Sequence, residues 1–131
     1  MSRKVLITGS GGLLGSVIRK NNSYNMDYIP TSLNPPDRYC IKLDLTSSIS
    51  VKECMSAFKP DVIVNCAAYT DVETSYLNKK KCHDINVTGL SNIIKHSNKD
   101  VKIVHISSDY VFDGKKNPYN ETSITNPLNY Y

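Results

Sequence analysis

Ile7-Thr8-Gly9-Ser10-Gly11-Gly12-Leu13-Leu14-Gly15 is the stretch that decides the fold. It grows out of Lys4-Val5-Leu6-Ile7-Thr8, a continuous β-branched run of the kind buried on both faces of a parallel sheet. It leads into Leu13, Leu14, Val17 and Ile18, which recur at helical spacing. Glycines at 9, 12 and 15 therefore spell G-x-x-G-x-x-G between a strand and a helix, the setting a phosphate-binding turn requires. Gly9 permits the tight turn, and Gly12 lets backbone N–H groups approach a pyrophosphate with no Cβ between. Gly15 lets the helix lie close on the sheet, and the helix N-terminus adds partial positive charge.

The same alternation continues outward. Asp27–Ser32 reads as a second strand despite Pro30, and Tyr39-Cys40-Ile41-Lys42-Leu43 as a third. Ser50-Val51-Lys52-Glu53 fits a capping box, opening a helix with Val51, Cys54, Met55 and Phe58 on one face. Val62-Ile63-Val64-Asn65-Cys66 is a fourth strand and Val101–Ser107 a fifth. Between them Cys82, Ile85, Gly89, Ile93 and Ile94 stripe a long helix over about residues 79–97. Beyond Ser108 turn residues take over, at Asp113-Gly114, Asn117-Pro118 and Asn126-Pro127. Strand, helix, strand at this regularity implies right-handed crossovers, hence an α/β, Rossmann-type doubly wound parallel sheet ordered 3-2-1-4-5.

Composition removes other classes. At 131 residues, 40% hydrophobic and 21% charged, the chain is sized for one globular domain. A net charge of +4 without a dense basic cluster argues against nucleic acid; Lys79-Lys80-Lys81 reads as a solvated helix start. No apolar run reaches membrane-spanning length, and no signal-peptide pattern opens the chain. Cys40, Cys54, Cys66 and Cys82 form no C-x-x-C, and His83, His96 and His105 give no metal-ligand spacing. Reduced, mostly buried thiols in a cytoplasmic protein without a metal fit this pattern.

Further residues at the carboxyl ends of the expected strands suit a dinucleotide. Asp44 either accepts a hydrogen bond from an adenine amino group or caps the following turn. Asn65-Cys66-Ala67-Ala68 places small residues where a nicotinamide ribose passes. The coenzyme is NADP or NAD: Thr31-Ser32 offers no acid for a ribose 2′-hydroxyl, and Arg38 is a candidate for a 2′-phosphate or simply solvated. The balance falls toward NADP.

With these residues in view, the chain resembles the dTDP-4-dehydrorhamnose reductase family of extended short-chain dehydrogenases/reductases. The resemblance runs through the glycine turn, Asp44-Leu45, Asn65-Cys66-Ala67-Ala68-Tyr69-Thr70 with Val72-Glu73, and Asn86-Val87. Its narrowest parts are Ser107-Ser108-Asp109-Tyr110-Val111-Phe112-Asp113-Gly114 and Asn126-Pro127-Leu128-Asn129-Tyr130-Tyr131. It implies reduction of a 4-keto-6-deoxy sugar on a nucleoside diphosphate. Ser108 would hydrogen-bond the carbonyl and Tyr131, the tyrosine of Y-x-x-x-K, would donate the proton. The coenzyme would be held by Gly9, Gly12, Leu13, Leu14, Gly15, Asp44, Leu45, Ala67, Ala68 and Thr70. Asp109 and Tyr110 would flank the sugar, and Asn86 would organise the region.

The motif's lysine is absent, because the sequence stops at Tyr131. A phenol without that cation, and beside its own α-carboxylate, would hold its proton more tightly. Pro127–Tyr131 would be five residues of nascent helix, too short to hold Tyr131 in place. These considerations predict residues 1–131 to be a cofactor-binding domain with little turnover, lacking later strands and a substrate-binding part. Its uncovered sheet edge would invite association into a homo-oligomer. Two other readings stay open: a dinucleotide-binding regulatory subunit like the β subunit of methionine adenosyltransferase, and a nucleotide-sugar epimerase or dehydratase.

Overall fold

The computed structural model describes residues 2–21, 24–116 and 118–131, which leaves Asn117 of one expected turn outside the described residues. Strands β1 (Lys4–Thr8), β2 (Asp27–Ser32), β3 (Ile41–Lys42), β4 (Val62–Asn65) and β5 (Lys102–His105) form one sheet ordered β3-β2-β1-β4-β5. Every pairing is parallel, as right-handed crossovers require. The register aligns Thr8 with Asn65 and Asn65 with His105, so three strands end on one polar row.

Helices α2 (Ser48–Phe58) and α5 (Gly89–His96) cover one face of the sheet. The core there joins Leu6, Ile29, Leu43 and Ile63 to Val51, Cys54, Met55 and Ile93. Strand alternation turns Val5 and Ile7 to the other face. Helix α1 (Leu13–Lys20) packs there on β1, burying Gly15 while leaving Leu14 and Val17 exposed. The outer strand β5 is also open: Val104 is 49% exposed.

Several boundaries differ from the sequence reading, each for a local reason. The third strand shrinks to Ile41–Lys42, because β2 offers it partners only at Thr31 and Ser32. The fourth and fifth strands stop at Asn65 and His105, where the sheet gives way to the loops of the site. Ser47, not Ser50, caps α2: its hydroxyl accepts the Ser50 N–H, while the Ser50 hydroxyl accepts the Asp44 N–H. The long helix divides into α4 (Lys79–His83), a π turn at Asp84–Thr88 and α5, and Ile94 on its expected buried stripe is 59% exposed. A short α3 (Val72–Ser75) precedes it. Pro127–Tyr131 is not helical, in keeping with the cost of nucleating so few residues.

Gly15 shows how tightly the turn is built. A Cβ there would lie 2.4 Å from the Gly9 carbonyl oxygen and 2.8 Å from Ser10 Cα, both backbone atoms. Helix propensity alone would make Gly15→Ala stabilising by about 1 kcal/mol. We expect the opposite sign, a loss of about 1–3 kcal/mol, because the turn must be pushed off the helix. Urea unfolding checks this; an unchanged or raised midpoint would contradict the packing.

Candidate functional site

The carboxyl ends of the strands open into two cavities. The larger, about 740 Å³, is lined by Gly9 and Gly12 of the turn, Thr31-Ser32-Leu33 after β2, and Asp44-Leu45-Thr46 after β3. Cys66-Ala67-Ala68 after β4 forms a further wall. The smaller, about 220 Å³, is lined by His105, Ser107, Ser108, Tyr110, Asn86, Tyr130 and Tyr131. Ala67 and Ala68 line both, so the two cavities meet over these small side chains.

The turn fits a bound diphosphate. Gly9 has φ +64°, and a Cβ on it would lie 2.7 Å from the Ala67 N, so only glycine allows this approach. A Cβ on Gly12 would meet the Gly9 carbonyl oxygen at 3.3 Å and otherwise enter the open cleft. Among the described residues no side chain caps α1, and its first turn carries no acid, which leaves the helix terminus open to an anion from outside. Asp44 takes two hydrogen bonds at Oδ1, from the Thr46 N–H at 2.9 Å and the Thr46 hydroxyl at 2.7 Å, which braces it on the cleft wall.

Not every expected residue reaches a cavity wall. Leu13 and Leu14 begin α1 beside the turn with exposed side chains, and Gly15 is buried behind it. Thr70 is exposed and lines neither cavity. Asp109 lies on a 3₁₀ turn, Asp109–Val111, where it accepts the Ser108 hydroxyl at 3.4 Å. Arg38 donates to the Tyr39 hydroxyl at 2.6 Å, lies over that ring and lines neither cavity. Conversely, Lys79, Lys80 and Lys81, read as a solvated helix start, line the mouth of the larger cavity. The sequence signal was a charge run alone, which solvent explains equally well. His105 was also missed, because its partners are remote in sequence.

In the smaller cavity, the Ser108 hydroxyl accepts the Tyr110 N–H at 3.2 Å, which fixes its side chain. Tyr131 meets Tyr110 edge to face, ring centres 6.3 Å apart at 85°. This contact holds Tyr131 without the helix expected around it. Asn86, on the π turn, clamps Tyr69 by accepting its N–H at 2.7 Å and donating to its carbonyl at 3.1 Å. A π turn concentrates such functional geometry because it re-aims one side chain.

Electrostatics separate structural from reactive groups. Burial pushes the Cys54, Cys66 and Cys82 thiols up, so Cys66 on the cleft wall is a poor nucleophile. Among the described residues, no group of three His, Cys, Asp or Glu could hold a metal ion, and no helix is long and apolar enough to cross a membrane. Asp113 is held down to about 2, chiefly by the Lys115 N–H, then by the Asn126 amide and the Tyr119 hydroxyl. A carboxylate lowered in the folded state stabilises above its ordinary value of 3.8 and loses that contribution as pH falls toward about 2. We expect hydrogen-exchange protection of residues 113–116 and 119–126 to fall over that window, and Asp113→Asn to abolish the dependence.

The comparisons with known proteins agree with this geometry. The family described as RmlD substrate binding domain matches residues 3–131. A dTDP-4-dehydrorhamnose reductase of Aggregatibacter actinomycetemcomitans is 38% identical over 133 residues, covering 98% of this chain and 42% of that protein. Methionine adenosyltransferase 2 subunit beta of Danio rerio is 33% identical over 130 residues, covering 98% and 40%. The crystal structure of dTDP-4-dehydrorhamnose reductase from Bacillus anthracis str. Ames in complex with NADP superposes with a TM-score of 0.89 at 31% identity, covering 100% of this chain and 45% of that one. The chain thus spans less than half the length of these relatives.

Proposed function

The chain belongs to the RmlD substrate binding domain family, and from that premise we propose that residues 1–131 are the coenzyme-binding Rossmann domain of a nucleotide-sugar reductase. The coenzyme is NADP, as in the Bacillus anthracis relative, and the substrate is a 4-keto-6-deoxy sugar on a nucleoside diphosphate. The observation that carries this is the meeting of two cavities over Ala67 and Ala68, one walled by the glycine turn and the other by Ser108 and Tyr131.

When bound, the nicotinamide supplies a hydride for the substrate's carbonyl carbon. The backbone of Gly9 and Gly12, with the N–H groups of Leu13 and Leu14 at the start of α1, would hold the diphosphate, and Asp44 and Leu45 would hold the adenine. Ala67 and Ala68, which line both cavities, bound the nicotinamide end. Ser108 donates a hydrogen bond to the carbonyl oxygen and Tyr131 delivers the proton to the alkoxide, so the carbonyl gains hydride at carbon and a proton at oxygen. Tyr110, on the wall of the smaller cavity, orients the sugar.

Calorimetric titration with NADPH and NADH, followed by NADPH oxidation with a dTDP-4-keto-6-deoxy sugar on the full-length protein, tests this reading. We expect saturable heat, larger affinity for NADPH, and substrate-dependent oxidation; no heat with either coenzyme would overturn it. The similarity to the methionine adenosyltransferase β subunit supports a second reading, a dinucleotide-binding regulatory subunit. Tight NADPH binding with no oxidation of it would favour that one.

A further inference from the structure

Thr8, Asn65 and His105 are register partners on three adjacent strands, and their side chains form one hydrogen-bonded row. Thr8 Oγ1 donates to Asn65 Oδ1, and Asn65 Nδ2 lies 3.0 Å from His105 Nδ1. The direction of the row follows from its buried end. Thr8 is 1% exposed, and its Oγ1 already accepts the Ala67 N–H at 3.4 Å. Its proton needs an acceptor, and among the described residues Asn65 Oδ1 is the one its side chain donates to. Reversing the amide would strand that hydroxyl proton inside the protein. Asn65 Nδ2 therefore faces the imidazole, and an amide nitrogen only donates. His105 Nδ1 must answer with a lone pair, which puts the proton of a neutral ring on Nε2.

We propose that this row puts the proton of the neutral His105 ring on Nε2 and makes it a hydrogen-bond donor to an oxygen of the sugar. His105 lines the smaller cavity together with Ser108 and Tyr131. The inference rests on reading that cavity as the sugar site. It adds a substrate-binding residue that acts on recognition rather than on hydride or proton transfer. The row begins at Thr8, the last residue before the glycine turn, so one line of side chains joins the floor of the coenzyme cleft to the sugar pocket.

Long-range ¹H–¹⁵N correlation spectra of the full-length protein, labelled at histidine and held well above the ordinary histidine range of about 6.5, read the tautomer directly. We expect a pyridine-type Nδ1 and a pyrrole-type Nε2 for His105 in the ligand-free protein. Asn65→Asp, which replaces the donor by a carboxylate, should place a proton on Nδ1. His105→Asn keeps an acceptor for Asn65 but nothing at Nε2. It should raise KM for the keto-sugar nucleotide about tenfold and leave the NADPH dissociation constant within about twofold. An Nδ1–H tautomer in the wild type overturns the proposal, as does an unchanged KM in His105→Asn. Failure of the wild type to bind NADPH would sink the reductase reading instead, with the spectrum still deciding the tautomer.

Discussion

Gly12→Val is expected to weaken NADPH binding by at least about a hundredfold, roughly 2.7 kcal/mol, while the thermal midpoint moves little. Gly12 stands at the N-cap of α1 with φ −77°, a conformation any residue adopts, so backbone strain is not the mechanism. Its absent Cβ would meet only the Gly9 carbonyl oxygen, at 3.3 Å, before entering the cleft. The two branches of valine would then occupy the space a diphosphate must fill to reach the helix N-terminus. Calorimetric titration beside thermal unfolding separates the effects. Binding that survives with wild-type affinity would show that no diphosphate sits against this turn. The contrast with Gly15 is instructive: there the Cβ collides with backbone, and stability is the property lost.

Tyr131→Phe is expected to lower kcat by about 10²–10⁴-fold in the full-length protein, the usual contribution of a positioned proton donor. The substitution keeps the ring that packs edge to face on Tyr110, 6.3 Å between centres, so the pocket wall survives. What disappears is the one hydroxyl assigned to protonate the alkoxide. NADPH affinity should stay within about twofold, because Tyr131 lines the smaller cavity and not the larger. Steady-state kinetics with parallel coenzyme titration checks both halves. A variant with wild-type kcat would remove Tyr131 from the chemistry and favour the regulatory reading.

The turn from Thr8 to Gly15, the first strand and the sheet order were legible because each rests on short-range rules. An apolar β-branched run closed by glycine forms a buried strand wherever it occurs. Glycine spacing is a backbone requirement, and parallel crossovers have one hand. Asp27–Ser32 keeps its bounds despite Pro30: Asp27–Pro30 pair with β1, and Thr31 and Ser32 with β3. The Ser50 capping box fails because Ser47, three residues earlier, caps the helix through the Ser50 N–H, and the Asp44 N–H takes the Ser50 hydroxyl.

Periodicity and motif spacing alone thus determined the class of fold, the direction of its strands and the glycine turn that walls the larger cavity. Tertiary structure decided which loops share a wall. It set Lys79–Lys81 at the mouth of the cleft, turned Asn86 onto Tyr69 through a π turn, and put Tyr131 against Tyr110 without a helix. It also lined up Thr8, Asn65 and His105, residues 57 and 40 positions apart in sequence, by strand register. Register is a property of the whole sheet, settled by what each strand buries against its neighbours, and no local window of sequence contains it.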